Sequence, residues 1–184
     1  MKTAIAFLCL GLAAFALQKE GWGQQPGQNR LASACGPANA NYKVSLDRSQ
    51  HGPTTPETGK ALVYFIHDSG IPEQIFWSGK VTLGYPTTKY GVDGSWVGAD
   101  HGDSWFAVAV TPGEHHVCTL LQSSFVGQRV ELAHFAVEAG KSYYFRTQLV
   151  TSGSVELLEL ERIDSDEAGY MISEYPMARS TPKK

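Results

Sequence analysis

The chain has 184 residues, with 15 basic and 18 acidic side chains and a formal net charge of -3. That length suits one domain with a sizeable core and is short for two. Hydrophobic residues at 42% and aromatics at 11% exclude a disordered polymer. A near-neutral balance without a Lys/Arg run points away from nucleic acid and anionic membrane surfaces as partners.

The N-terminus carries the strongest local signal. Lys2 is followed by Ala4 to Leu17, which contains no charged or strongly polar residue. The run falls short of the roughly 18 residues needed to span a bilayer. Ala14-Phe15-Ala16 fits the small-x-small pattern of a signal-peptide cleavage site. Residues 1–16 are therefore expected to be a cleaved signal peptide, with cleavage extending to residue 23 if Gly21-Trp22-Gly23 is used instead. An uncleaved anchor or a buried helix is the other reading of the run. Cys9 is no lipid acceptor, because Phe7 and Leu8 stand where small residues are needed. Residues 17–41 read as a flexible mature N-terminus, rich in Gln and Gly.

Strand patterns follow. Tyr42–Leu46 alternates, and Ser49–Gly59, with Pro53 and Pro56, is a loop. Ala61–Ile66 is a continuous apolar run with β-branched and aromatic residues, which reads as a central strand covered on both faces. Ile75–Trp77 is a further strand candidate. Asp93-Gly94, between Thr87–Val92 and Ser95–Gly98, is a two-residue hairpin signal, since a type I′ turn needs positive φ at both positions. Trp105–Val110 ends at Thr111-Pro112-Gly113-Glu114, a turn leading to His115–Leu121. Val130–Val137, a turn at Ala139-Gly140, the alternating strand Tyr143–Leu149 and Val155–Ile163 complete the series. Asp164–Met171 reads as one short helical turn with Ser165 as N-cap. Residues 176–184 read as a polar tail.

Turns rather than helical segments separate these strands, which favours antiparallel pairing. The expectation is an all-β, antiparallel β-sandwich-like domain of about 7–9 strands over residues 42–175, with at most one short helix near its C-terminus.

Four segments together resemble the bacterial domain of unknown function 2846 family: Gly59–Phe65, Gly91–Gly98, Pro112–His115 and Ala139–Arg146. Their order and spacing carry the resemblance, over roughly residues 60–163. It implies a secreted or envelope-associated β module without an established activity, so it transfers no functional residue. Some members of that family are called lipoproteins, and this chain departs from them in lacking an acceptor cysteine.

Signal cleavage removes Cys9 and leaves Cys35 and Cys118, 83 positions apart. An even pair in an exported chain reads as a disulfide, and two buried free thiols are the alternative.

Chemistry-bearing residues are sparse. Gly102-Asp103-Ser104 resembles an esterase nucleophile block, but no histidine follows His134 and the tripeptide is ordinary turn chemistry. A hydrolase or metal-dependent enzyme would draw on Asp100, His101 and Asp103, or on His115 and His116. Local spacing offers at most two ligands, so no metal and no cofactor is expected. Asp164–Tyr175 fails as a calcium loop, with Ala168 and Tyr175 at ligand positions. Tyr85, Tyr90, Trp96 and Trp105, clustered with Trp77 around the hairpin, are candidate contacts for an envelope protein or glycan, with core packing as the competing reading. The expected function is thus an exported, non-catalytic binding or envelope-associated module, periplasmic, outer-envelope associated or extracellular.

Overall fold

The computed structural model describes residues 35–37, 39–49, 55–69, 87–122, 130–152 and 155–184, excepting the side chains of 150–157. The signal-peptide segment, the strand candidate Ile75–Trp77 and Tyr85 lie outside the described residues.

Ten strands form two packed sheets among the described residues. They are β1 (Tyr42–Asp47), β2 (Ala61–Asp68), β3 (Thr87–Val92), β4 (Ser95–His101), β5 (Ser104–Val110), β6 (Gly113–Leu121), β7 (Glu131–Val137), β8 (Ser142–Ser152), β9 (Val155–Ile163) and β10 (Met177–Pro182). One helix, α1 (Ser165–Glu174), stands between β9 and β10. The larger sheet has the order β1-β10-β5-β2-β8-β9 and the smaller β4-β3-β6-β7. This is the all-β sandwich-like fold with one short C-terminal helix that the strand grammar implies.

The strand β2 explains the layering. Its residues 61–67 are all buried, because they serve two cores. Ala61, Val63 and Phe65 face the smaller sheet and join Tyr90, Phe106, Val117, Phe135 and Phe145 between the sheets. Leu62, Tyr64 and Ile66 point the other way and meet Ala168, Met171 and Ile172 of α1. The helix buries a face at i, i+3 and i+4 spacing against the outer side of the larger sheet. Burial of Met171 and Ile172 contributes about 1.5–3 kcal/mol each. The helix runs longer than one turn, and its N-cap is Asp164 rather than Ser165. The Asp164 carboxylate accepts from the Asp166 and Glu167 amides, both at 2.9 Å, while Ser165 is already helical.

The Asp93-Gly94 turn forms as expected, with φ of 48° and 79°. Just before it, the β3–β4 register shifts: Tyr90 faces Gly98 but Gly91 faces Trp96, which leaves Val97 as a bulge.

Three features depart from the expected pattern. Two strand pairs are parallel, β2 with β8 and β5 with β10. The short turns after β4, β5 and β7 carry the chain from one sheet to the other instead of pairing consecutive strands. The segment 176–184 is polar, yet it contains β10, which pairs with β1 over its whole length, from Tyr42↔Pro182 to Asp47↔Met177. Backbone pairing, not side-chain burial, makes that strand, so its composition gives little sign of it.

Candidate functional site

The period-two alternation that builds the core changes chemistry toward one end of the sandwich. Along the inner face of β2 the residues run Ala61, Val63, Phe65 and then His67, which is 0% exposed. Along β8, Phe145 gives way to Thr147, and along β6, Val117 gives way to Thr119. On the smaller sheet Thr88 and Asp100 are cross-strand partners, as are Tyr90 and Thr119. His67 and Thr147 are partners on the larger sheet.

These groups meet across the space between the sheets. His67 Nδ1 lies 3.0 Å from Asp100 Oδ1, and both side chains are fully buried. Thr88 Oγ1 is 3.4 Å from the same nitrogen. Burial pushes the Asp100 carboxyl above the usual carboxylate range, with the His67 charge and hydrogen bond acting against it. Burial likewise drives the Tyr90 phenol upward, reinforced by the Asp100 charge. The Tyr90 hydroxyl lies within hydrogen-bond reach of the Asp100, Thr119 and Thr147 side chains, whereas His67 Nε2 has no partner among the described residues. A buried group left unmet costs about 1–3 kcal/mol.

The residues singled out from sequence fall in different places. Asp100 joins this cluster. His101 lies near Thr87, its Nδ1 3.5 Å from Thr87 Oγ1. Asp103 accepts from the Ser69 amide and hydroxyl at 2.8 and 2.5 Å. Ser104 is 0% exposed, and its hydroxyl lies 3.4 Å from the carbonyls of His101 and Gly102, so Gly102-Asp103-Ser104 is a turn.

His115 is far from Asp100. It lies on β6 four residues from Thr119, about 13 Å along a strand. Its Nδ1 is 2.6 Å from Asp93 Oδ2 and its Nε2 2.7 Å from the Thr111 carbonyl. Burial lowers the His115 pKa, but hydrogen bonding to Asp93 and Thr111, with the Asp93 charge, outweighs it and the net shift is upward. His116 lies on the opposite face against His134, ring centroids 4.7 Å apart and planes tilted by 43°. Among the described residues no group of three or more His, Cys, Asp or Glu is placed to hold a metal ion.

Of the aromatic candidates, Tyr90 and Trp105 are core residues at 0% and 1% exposure, because alternation turns both inward. Trp96 packs on the outer side of the smaller sheet. Its indole donates to the Pro37 carbonyl at 2.8 Å, and the Lys89 ammonium sits 4.5 Å above its ring. Lys89, 2% exposed, donates to the Ala40 carbonyl at 2.7 Å. Burial holds its pKa below the usual lysine value.

Trp96 and Lys89 thus hold the Cys35–Ala40 segment against that face. Cys35 and Cys118 are joined, with Cα atoms 5.8 Å apart and both residues 1% exposed. The seat requires Gly91, where a Cβ would come within 2.6 Å of the Cys35 carbonyl and 2.8 Å of Cys118 Sγ.

His67, Thr119 and Thr147 carry no motif. The available signal was His67 at an inner position of an otherwise apolar period-two run. The described residues therefore define a β-sandwich with a buried disulfide and a buried inter-sheet polar cluster. Comparison with known proteins finds no matching family model, curated protein or solved structure. No helix among the described residues is long and apolar enough to cross a membrane.

Proposed function

We propose that the chain is an exported, non-catalytic binding or envelope-associated β module whose partner is an envelope protein or a glycan. The observation that carries this reading is the Cys35–Cys118 bridge. It is buried, and it ties an N-terminal segment with few apolar residues onto the smaller sheet. Such bonds form and persist in oxidising compartments, and the leader-like Ala4–Leu17 run accounts for arrival there. Membership of the domain of unknown function 2846 family belongs to the same proposal, on the order and spacing of the four segments named above. The non-catalytic part rests on pairing. Asp103 is bound by Ser69, and His115 and Asp93 are bound to each other at another place in the fold, whereas acid–base or metal chemistry needs the candidate groups to converge.

The test is expression of the full chain with its leader in a bacterial host, followed by fractionation. N-terminal sequencing of exported protein is expected to begin near Leu17 or Gln24. Denatured, unreduced protein is expected to show no free thiol, and the mature protein to retain a defined component from native envelope. An intact Met1 in the cytoplasm, or two titrating thiols, overturns the export reading. Hydrolytic turnover by the purified mature protein overturns the non-catalytic one.

A further inference from the structure

We propose that His116 and His134 form a surface site for a copper(II) ion, with Glu114 as the residue that positions His134. The two histidines are cross-strand partners on β6 and β7, and Glu114 shares the outward face of β6 with His116. All three residues are exposed. Glu114 Oε2 lies 2.9 Å from His134 Nε2. With the proton kept on Nε2 beside that carboxylate, Nδ1 carries the lone pair that a metal takes. Spacing along one strand could not show this pair, because the second imidazole comes from the neighbouring strand.

Geometry and charge decide the class of ligand. A metal–nitrogen bond of about 2.0–2.1 Å puts the centre of an imidazole ring about 3.2 Å from the ion. Two rings on adjacent corners of a square then stand about 4.5 Å apart, and two on a tetrahedron about 5.2 Å. The His116 and His134 centroids are 4.7 Å apart, nearer the square arrangement. Square-planar or tetragonal sites of nitrogen and oxygen suit copper(II), which also heads the affinity order of the first-row divalent ions. Two carboxylates favour a cation there: Glu114, and Asp93, whose Oδ1 accepts from the His116 amide at 2.9 Å. Cys118, the next residue on that face of β6, is in the bridge and supplies no thiolate. The protein provides two ligands and water fills the other corners, so the site binds an ion without organising a reaction around it.

The test is calorimetric titration of the purified, oxidised protein, made without an affinity tag, with copper(II) chloride, followed by pulsed electron paramagnetic resonance of the complex. The tightest site is expected to hold one ion per chain in the micromolar range, with a tetragonal spectrum and couplings from two imidazole nitrogens. His116→Gln and His134→Gln are each expected to weaken binding at least about tenfold and to leave the coupling of one imidazole. Glu114→Gln is expected to weaken binding less and to keep both couplings. Thermal midpoints of the ion-free variants should match that of the parent, since all three positions are exposed. Zinc chloride is expected to bind more weakly than copper. The proposal is overturned if copper binding survives His116→Gln/His134→Gln unchanged, which would place the ion on the amino terminus or on another histidine. Coupling from a single imidazole in the parent overturns it too, as does zinc binding as tight as copper or no binding below millimolar copper.

Discussion

Two His–Asp pairs stand toward opposite ends of the same sandwich, and they differ in what surrounds them. His115–Asp93 lies at a rim, with side-chain exposures of 9% and 46%. Its remaining atoms are met by backbone: His115 Nε2 by the Thr111 carbonyl at 2.7 Å, and Asp93 Oδ1 by the His116 amide at 2.9 Å. His67–Asp100 is fully buried, and its outer atoms, His67 Nε2 and Asp100 Oδ2, find no such partner among the described residues. The cause is position. Asp93 and Thr111 belong to turns, where backbone groups are free of the ladders. His67 lies within a strand paired on both sides, to Ser104 and to Thr147. A pair at a turn is completed by the main chain, whereas a pair between sheets needs side chains.

The comparison breaks most visibly at the buried pair. Asp100→Ala leaves a buried imidazole without its counterpart and is expected to cost about 4 kcal/mol, against under about 1 kcal/mol for Asp93→Ala at the exposed rim. Urea titration of both variants measures the gap. Equal losses would mean that burial does not separate the two pairs.

Removal of the bridge is expected to rank next. Loop-closure entropy for a separation of 83 residues sets an upper limit of about 4.5 kcal/mol, and strain usually reduces the observed effect to about 2–3 kcal/mol. Cys35→Ala/Cys118→Ala tests this by thermal unfolding. The His115 titration followed by NMR should stay unchanged, because the strap covers the outer side of the smaller sheet and His115 faces inward. A moved His115 titration would tie the rim pair to the strap.

A smaller effect is expected when both buried partners go together. His67→Phe/Asp100→Leu exchanges a buried hydrogen-bonded pair for apolar volume and should cost less than Asp100→Ala, since no buried imidazole is left without its counterpart. A double variant as unstable as Asp100→Ala would show that packing, not charge, governs this end.

The least change belongs to Asp93→Asn. The His115 pKa is raised in the folded chain, so its contribution is present below the ordinary imidazole value of about 6.5 and is lost as pH rises through the folded value. Burial pushes Asp93 up, but the His116 amide and the His115 hydrogen bond outweigh it and leave its pKa lowered. Its contribution is thus present above the ordinary carboxylate value of about 4 and is lost as pH falls through the lowered value. The pair stabilises most between those two limits. Asp93→Asn should lower the His115 pKa and flatten the stability profile above about pH 6.5, which NMR titration and denaturation at several pH values can follow. An unchanged His115 titration would remove Asp93 as the cause.

Legibility in the sequence follows the range of the physics involved. The Asp93-Gly94 turn is readable because two adjacent residues determine it, and the double burial of β2 because seven consecutive residues express it. The parallel pairing of β2 with β8 is not readable, since it depends on where the chain goes in the intervening residues. The strand β10 is hidden for a related reason, as Met177–Pro182 has no alternating apolar face. The buried cluster is legible only in part. Asp100 stands out as an acidic residue beside a histidine, whereas Thr88, Thr119 and Thr147 look like any strand threonine until both sheets are in place.

The pairing of β1 with β10 sets an order of assembly. β1 is the first of the described strands and its ladder partner the last, with Tyr42 opposite Pro182. A chain delivered N-terminus first presents β1 long before anything exists for it to pair with, and the larger sheet gains its edge only when the final strand arrives. The clasp that results holds both ends side by side, with the Lys183 amide donating to the Asn41 carbonyl at 2.8 Å. In topological terms the domain is nearly a ring.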